Sequence, residues 1–145
     1  MRRSLLRALS IAASLLRQRS AELAAGLERR IVGRVAAGDA LAHKVQSRDL
    51  NAYDAIAFGC PAMGSEVLEE MEFQPMFDAC KRSLGGKRAA LFGSYGWGDG
   101  EWMRSWEKDC GDAGLNLVCE SVTCCDAPDD AALEACRALG KALVE

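Results

Sequence analysis

The chain has 145 residues, half of them hydrophobic, with 14 glycines and 3 prolines. That is the composition of one soluble globular domain with a real core, not of a disordered chain, and no unbroken apolar run approaches the ~18 residues of a membrane span. The formal charge of −3 hides an asymmetry: residues 1–50 sum to +6 and residues 51–145 to −9, an acidic body that argues against a nucleic-acid surface and suits a basic protein partner.

Residues 1–50 interleave Leu5, Leu6, Leu9, Leu15 and Leu16 with Arg2, Arg3, Arg7, Arg17 and Arg19, and carry no acid before Glu22. Such a start fits a targeting peptide or one or two helices packed on a sheet. It is not a secretory signal, because arginines interrupt its short apolar run. Helix formers dominate from Ser14 to Arg30, and Ile31 to Val35 is a candidate short strand.

From Asn51 the pattern becomes regular. Ala55 to Gly59 is a short apolar run between turn formers, hence a buried strand. A loop from Cys60 to Glu66 follows. Phe73, Met76, Phe77, Cys80 and Leu84, spaced by three and four, predict a helix. Pro75 fits its first turn and Gly85-Gly86 its end. Lys87 to Ser94 reads as the next strand and runs into Gly93-Ser94-Tyr95-Gly96-Trp97-Gly98-Asp99-Gly100. Trp102, Met103, Trp106 and Cys110 line a second helix, with Asp99 placed to cap it. Leu115 to Thr123 is a third strand. Asp129 or Asp130 then starts a last helix carrying Leu133, Cys136, Leu139 and Leu143. Alternating strands and helices predict an α/β fold with a parallel sheet covered on both faces. No linker divides the chain, so residues 1–145 read as a single domain whose first fifty residues are atypical.

The seven cysteines are Cys60, Cys80, Cys110, Cys119, Cys124, Cys125 and Cys136. Odd in number and mostly within apolar segments, they predict buried thiols in a reducing cytoplasm rather than a disulfide framework. Cys124-Cys125 lacks CxxC spacing and the sole histidine, His43, is remote in sequence, so no metal site is expected. GxSxG, GxGxxG and GxxxxGK[ST] patterns are absent, and no catalytic residue is assigned.

Ligands of open α/β sheets bind beyond the carboxyl ends of the strands. Two loops should meet there, one with Met63-Gly64-Ser65-Glu66, the other with Ser94-Tyr95-Gly96-Trp97-Gly98. A flat, polarizable ligand between Met63 and Trp97 would satisfy both. Glu66 could accept a hydrogen bond from a ring N–H, and backbone groups near Gly64 and Gly96 could meet the ring edges. In the competing arrangement Met63 caps the core, Trp97 folds inward, and Glu66 begins a solvated helix with Glu69, Glu70 and Glu72.

Residues 51–145 resemble the short-chain flavodoxins, especially those of anaerobic bacteria. The resemblance is carried by Ala52-Tyr53-Asp54-Ala55-Ile56-Ala57-Phe58-Gly59-Cys60-Pro61-Ala62-Met63-Gly64, by Glu66-Val67-Leu68-Glu69-Glu70, and by Ala90-Leu91-Phe92-Gly93-Ser94-Tyr95-Gly96-Trp97-Gly98-Asp99-Gly100. It implies a three-layer sandwich around a five-stranded parallel sheet of order 2-1-3-4-5. It also implies an FMN cofactor and a cytoplasmic, monomeric carrier that moves one electron at a time between redox proteins. On this resemblance Met63 and Trp97 flank the ring, and the Met63-Gly64-Ser65 backbone responds to its reduction. Glu66 binds the N3 edge, and Ser94, Tyr95, Gly96 and Gly98 form the second flavin loop. An anionic ring beside an acidic surface would have a low potential. Ser65 stands where close relatives usually have aspartate.

The family's first strand ends in a phosphate loop, typically Ser or Thr-x-Thr-Gly-x-Thr. The corresponding region here is Ser14-Leu15-Leu16-Arg17-Gln18-Arg19-Ser20, without glycine or threonine, so the nest of backbone N–H groups that wraps a phosphate is missing from the sequence. Either the first βα unit has diverged or been redesigned, or residues 1 to about 45 derive from a shifted reading frame. The alternative function is therefore a flavodoxin-like protein without FMN that serves as a structural or protein-binding module. A flavin reductase has less support, since no nicotinamide or substrate loop is identifiable.

Overall fold

The computed structural model describes residues 8–12, 35–37, 50, 53–71 and 73–145. The expected N-terminal helices, the Ser14–Ser20 region, His43 and Glu72 lie outside the described residues. In chain order the elements are β1 Ala8–Ala12, β2 Val35–Ala37, β3 Ala55–Gly59, α1 Phe73–Lys81, β4 Arg88–Tyr95, α2 Glu101–Asp112, β5 Asn116–Leu117, β6 Val122–Cys125 and α3 Asp130–Val144.

Among the described residues every strand pairing is parallel, and the order is β2-β1-β3-β4-β5, with β6 also on β4. This is the 2-1-3-4-5 arrangement, its fifth position shared by two short strands. The single strand expected from Leu115 to Thr123 is thus divided. β5 pairs with Arg88 and Ala89, β6 pairs with Phe92 to Tyr95, and the intervening chain leaves the ladder. The candidate strand at Ile31–Val35 meets the observed one only at Val35.

Side-chain alternation along β3 and β4 builds two cores. Ile56, Phe58, Ala89 and Leu91 face α1 and α2, while Ala55, Ala57, Ala90 and Phe92 face α3. The first core is aromatic. Phe77 meets Phe58 edge-on at 5.3 Å between centroids and Trp106 at 5.7 Å, and Phe73 meets Trp106 at 5.5 Å. Helix α1 buries Phe73, Met76, Phe77 and Cys80, the face its periodicity predicts. Leu84 is buried too, but beyond the helix end.

Helix α1 begins where it does because Glu69, itself buried, turns its carboxylate back onto the chain. Oε1 accepts from the Met71 N–H at 2.7 Å and Oε2 from the Phe73 N–H at 2.8 Å, satisfying donors that an uncapped first turn would leave open. Residues 66–70 therefore do not begin a solvated helix. At the other end, Lys81 bridges Asp78 on its own helix and Asp109 on α2, each at 2.9 Å. Helix α3 is capped by Asp129, whose carboxylate accepts from the Ala132 N–H at 2.8 Å.

Candidate cofactor site

Two loops are held together at the carboxyl ends of β3 and β4. The parallel ladder continues past the strands: Cys60 N–H donates to Phe92 O at 3.1 Å and Ala62 N–H to Ser94 O at 2.9 Å. Gly93 makes this approach possible, because a Cβ there would overlap the Cys60 carbonyl. That carbonyl also accepts from the Trp102 indole N–H at 3.1 Å, tying α2 beneath the site.

Beyond Ala62 the chain folds into a tight turn. Met63 and Val67 exchange both backbone hydrogen bonds, at 2.8 and 3.0 Å, leaving Gly64, Ser65 and Glu66 as the tip. Gly64 and Glu66 have φ of 49° and 56°, and the second value is unusual for a residue with a side chain. Met63 is half-buried and Ser65 is exposed.

On the second loop Trp97 is 63% exposed, so the inward-folded arrangement does not occur. Tyr95 turns toward the core and packs on Trp102 at 5.4 Å. Ser94 is buried, and its hydroxyl has no hydrogen-bond partner among the described residues. Gly96 and Gly98 are exposed. Asp126, which local sequence rules do not single out, brings a third segment to the site: its N–H donates to Tyr95 O at 2.8 Å.

Glu66 joins the two loops. Its Oε1 accepts from the backbone N–H groups of Asp99 and Gly100, each at 3.2 Å. The expectation that Asp99 caps α2 is corrected by this contact. The cap position is Gly100, which has no side chain of its own to cap the helix, and the Asp99 carboxylate pairs with Arg104 at 2.9 Å. Arg104 also holds Glu101 at 2.6 Å.

None of the seven cysteines is joined in a disulfide. Burial pushes the Cys60 thiol up to about 12, opposed by the Glu69 N–H and reinforced by the Glu69 charge. Burial likewise pushes Cys110 and Cys136 up to about 12. These thiols are inert at neutral pH. Among the described residues no group of acids, histidines and cysteines could hold a metal ion, and no helix is long and apolar enough to cross a membrane. A groove of about 760 Å³ lies between β6 and α3, lined by Cys119, Cys124, Ala135 and Leu139 among others. It does not include the Met63 turn or the Trp97 loop.

Comparison with known proteins gives the same architecture. The profile of the flavodoxin family matches residues 19–140. The flavodoxin of Megasphaera elsdenii is 43% identical over 94 residues, 65% of this chain and 66% of that one. The flavodoxin of Clostridium beijerinckii is 44% identical over 88 residues, 61% of this chain and 63% of that one. The aligned stretches thus span slightly less than two thirds of either relative. The solution structure of two-electron reduced M. elsdenii flavodoxin covers 96% of this chain and 98% of its own, with a TM-score of 0.75 and 29% identity. An archaeal flavodoxin structure, at 22% identity and a TM-score of 0.78, shares the fold over 96% of both chains. The sheet order, the two loops and the family match together make this chain a member of the flavodoxin family.

Proposed function

We propose that the protein binds FMN and carries electrons between redox proteins. The observation that carries this reading is the exposed Trp97 indole on a loop fastened to the Met63 turn, at the carboxyl ends of neighbouring parallel strands. A planar ring lying against Trp97 would cover apolar surface now open to water.

The described residues fit the ring end of the cofactor. Met63 and Trp97 are the stacking pair. Gly64 and Ser65 supply turn backbone, and Ser94, Tyr95, Gly96 and Gly98 line the second loop. The buried, unpartnered Ser94 hydroxyl is a polar group that a ligand could satisfy. Glu66 Oε2 has no hydrogen-bond partner among the described residues and is the acceptor we assign to the ring N3–H. The bound flavin supplies the redox chemistry. The protein's part is to stack the ring and orient its N–H edge. Exposed Glu70 and Asp126 supply negative charge around the loops, which supports docking by a basic redox partner; we take the carrier to be a monomer in the cytoplasm.

The phosphate end favours a second reading. Ser14–Ser20 contains no glycine or threonine, which supports a flavodoxin-like module without FMN. Purification tests the choice. Electron carriage predicts a yellow protein whose visible flavin band bleaches on anaerobic reduction and returns in air. A colourless protein that stays colourless after incubation with FMN and gel filtration selects the second reading.

A further inference from the structure

We propose that Glu66 is a positioning residue that fastens the two cofactor loops to each other through its carboxylate's contacts with backbone N–H groups, independently of a ligand. Its meaning for cofactor capture rests on the flavin reading above; its geometry does not.

Three observations carry it. First, Oε1 takes both the Asp99 and the Gly100 N–H, and Gly100 has no other side-chain cap. A carboxylate from 33 residues earlier in the chain thus occupies the positive end of α2. Second, Gly98 makes room for it. A Cβ at Gly98 would overlap the Glu66 carboxyl group, and Gly98 has a φ of 83° that side chains avoid. Third, Glu66 has the left-handed backbone of the Met63–Val67 turn. That conformation aims the side chain across to the second loop.

The two oxygens therefore divide the work. Oε1 holds the Trp97 loop against the Met63 turn, and Oε2 remains for a ring N–H. Loops already joined lose less freedom when a ligand enters.

The test uses the ligand-free protein, so it does not depend on whether FMN binds. Amide hydrogen exchange is followed in the native chain, in Glu66→Ala and in Glu66→Gln. In Glu66→Ala the Asp99 and Gly100 amides should exchange about tenfold faster relative to the β4 amides of Leu91 and Phe92. In Glu66→Gln, whose amide oxygen can still accept, the acceleration should be smaller, and the ¹⁵N and ¹H shifts of Asp99 and Gly100 should move while those of β4 stay. Unchanged exchange at Asp99 and Gly100 in Glu66→Ala would overturn the proposal. If Glu66→Ala does not fold, unmoved Asp99 and Gly100 shifts in Glu66→Gln would overturn it instead. A native chain that fails to take up FMN yet shows the accelerated exchange on substitution would refute the flavin reading and leave the clasp standing.

Discussion

Trp97 is the residue on which the binding argument turns. Its indole is 63% exposed, whereas Trp102 and Trp106 are at 1% and 2%. An exposed ring contributes little to the fold, so Trp97→Ala should leave the unfolding free energy of the ligand-free protein in urea nearly unchanged, within about 0.5 kcal/mol. The same substitution should weaken FMN binding by on the order of tenfold or more, because the stacking surface is lost. Fluorescence titration beside urea melts checks both; equal affinity in the variant would remove Trp97 from the site. The residue types on the two loops could be read locally, since glycines and aromatics after an apolar run mark a strand exit. The Glu66 contact could not. Capping rules look to the residue next to the helix, which pointed to Asp99, while the partner that arrived came from another loop.

The thiols give a pH dependence at the same scale. Cys60, Cys110 and Cys136 lie near 12 in the fold against 9.0 for an ordinary thiol. A group raised on folding contributes stability that is whole below pH 9 and is lost as pH rises from 9 toward 12. Between those limits the unfolded chain releases protons that the folded one retains. Each thiol should then withdraw on the order of 1 kcal/mol per pH unit. Urea unfolding at about pH 7 and about pH 10 should show a smaller loss in Cys136→Ala than in the native chain. Parallel losses would contradict the assignment.

At the scale of elements, Glu69 sets the start of α1. It is 5% exposed and accepts two backbone N–H groups. Glu69→Ala should cost about 1–2 kcal/mol by chemical denaturation, since both donors lose their acceptor. A neutral result would mean that water replaces the carboxylate freely. In the sequence the run Glu66, Glu69, Glu70 looks like a solvated acidic stretch. In the fold Glu66 and Glu69 serve two different helices, and Glu70 alone of these three is exposed. The helices were legible because Phe73, Met76, Phe77 and Cys80 keep a period near 3.6. The division of the last strand was marked only by the polar pair Glu120-Ser121, which interrupts the apolar run where the chain leaves the ladder and which the apolar residues on either side outweigh.

For the whole molecule, a parallel sheet with alternating helices followed from the order of apolar runs, and the position of β1 beside β3 completes it. Composition gave little hint of β1: Ala8-Leu9-Ser10-Ile11-Ala12 sits in an arginine-rich stretch, yet all five residues pair with Ala55 to Gly59. Its place in the sheet comes from pairing with an apolar neighbour, a tertiary effect that local pattern does not encode. With the sheet in this order, the Met63 turn and the Trp97 loop leave adjacent strands at the same edge, and the cofactor proposal depends on that adjacency. The direct measurement is a titration of FMN with purified protein, following quenching of flavin fluorescence. Stacking between Met63 and Trp97 predicts saturable quenching at micromolar protein, diminished in Trp97→Ala; fluorescence that stays constant across that range would contradict the account.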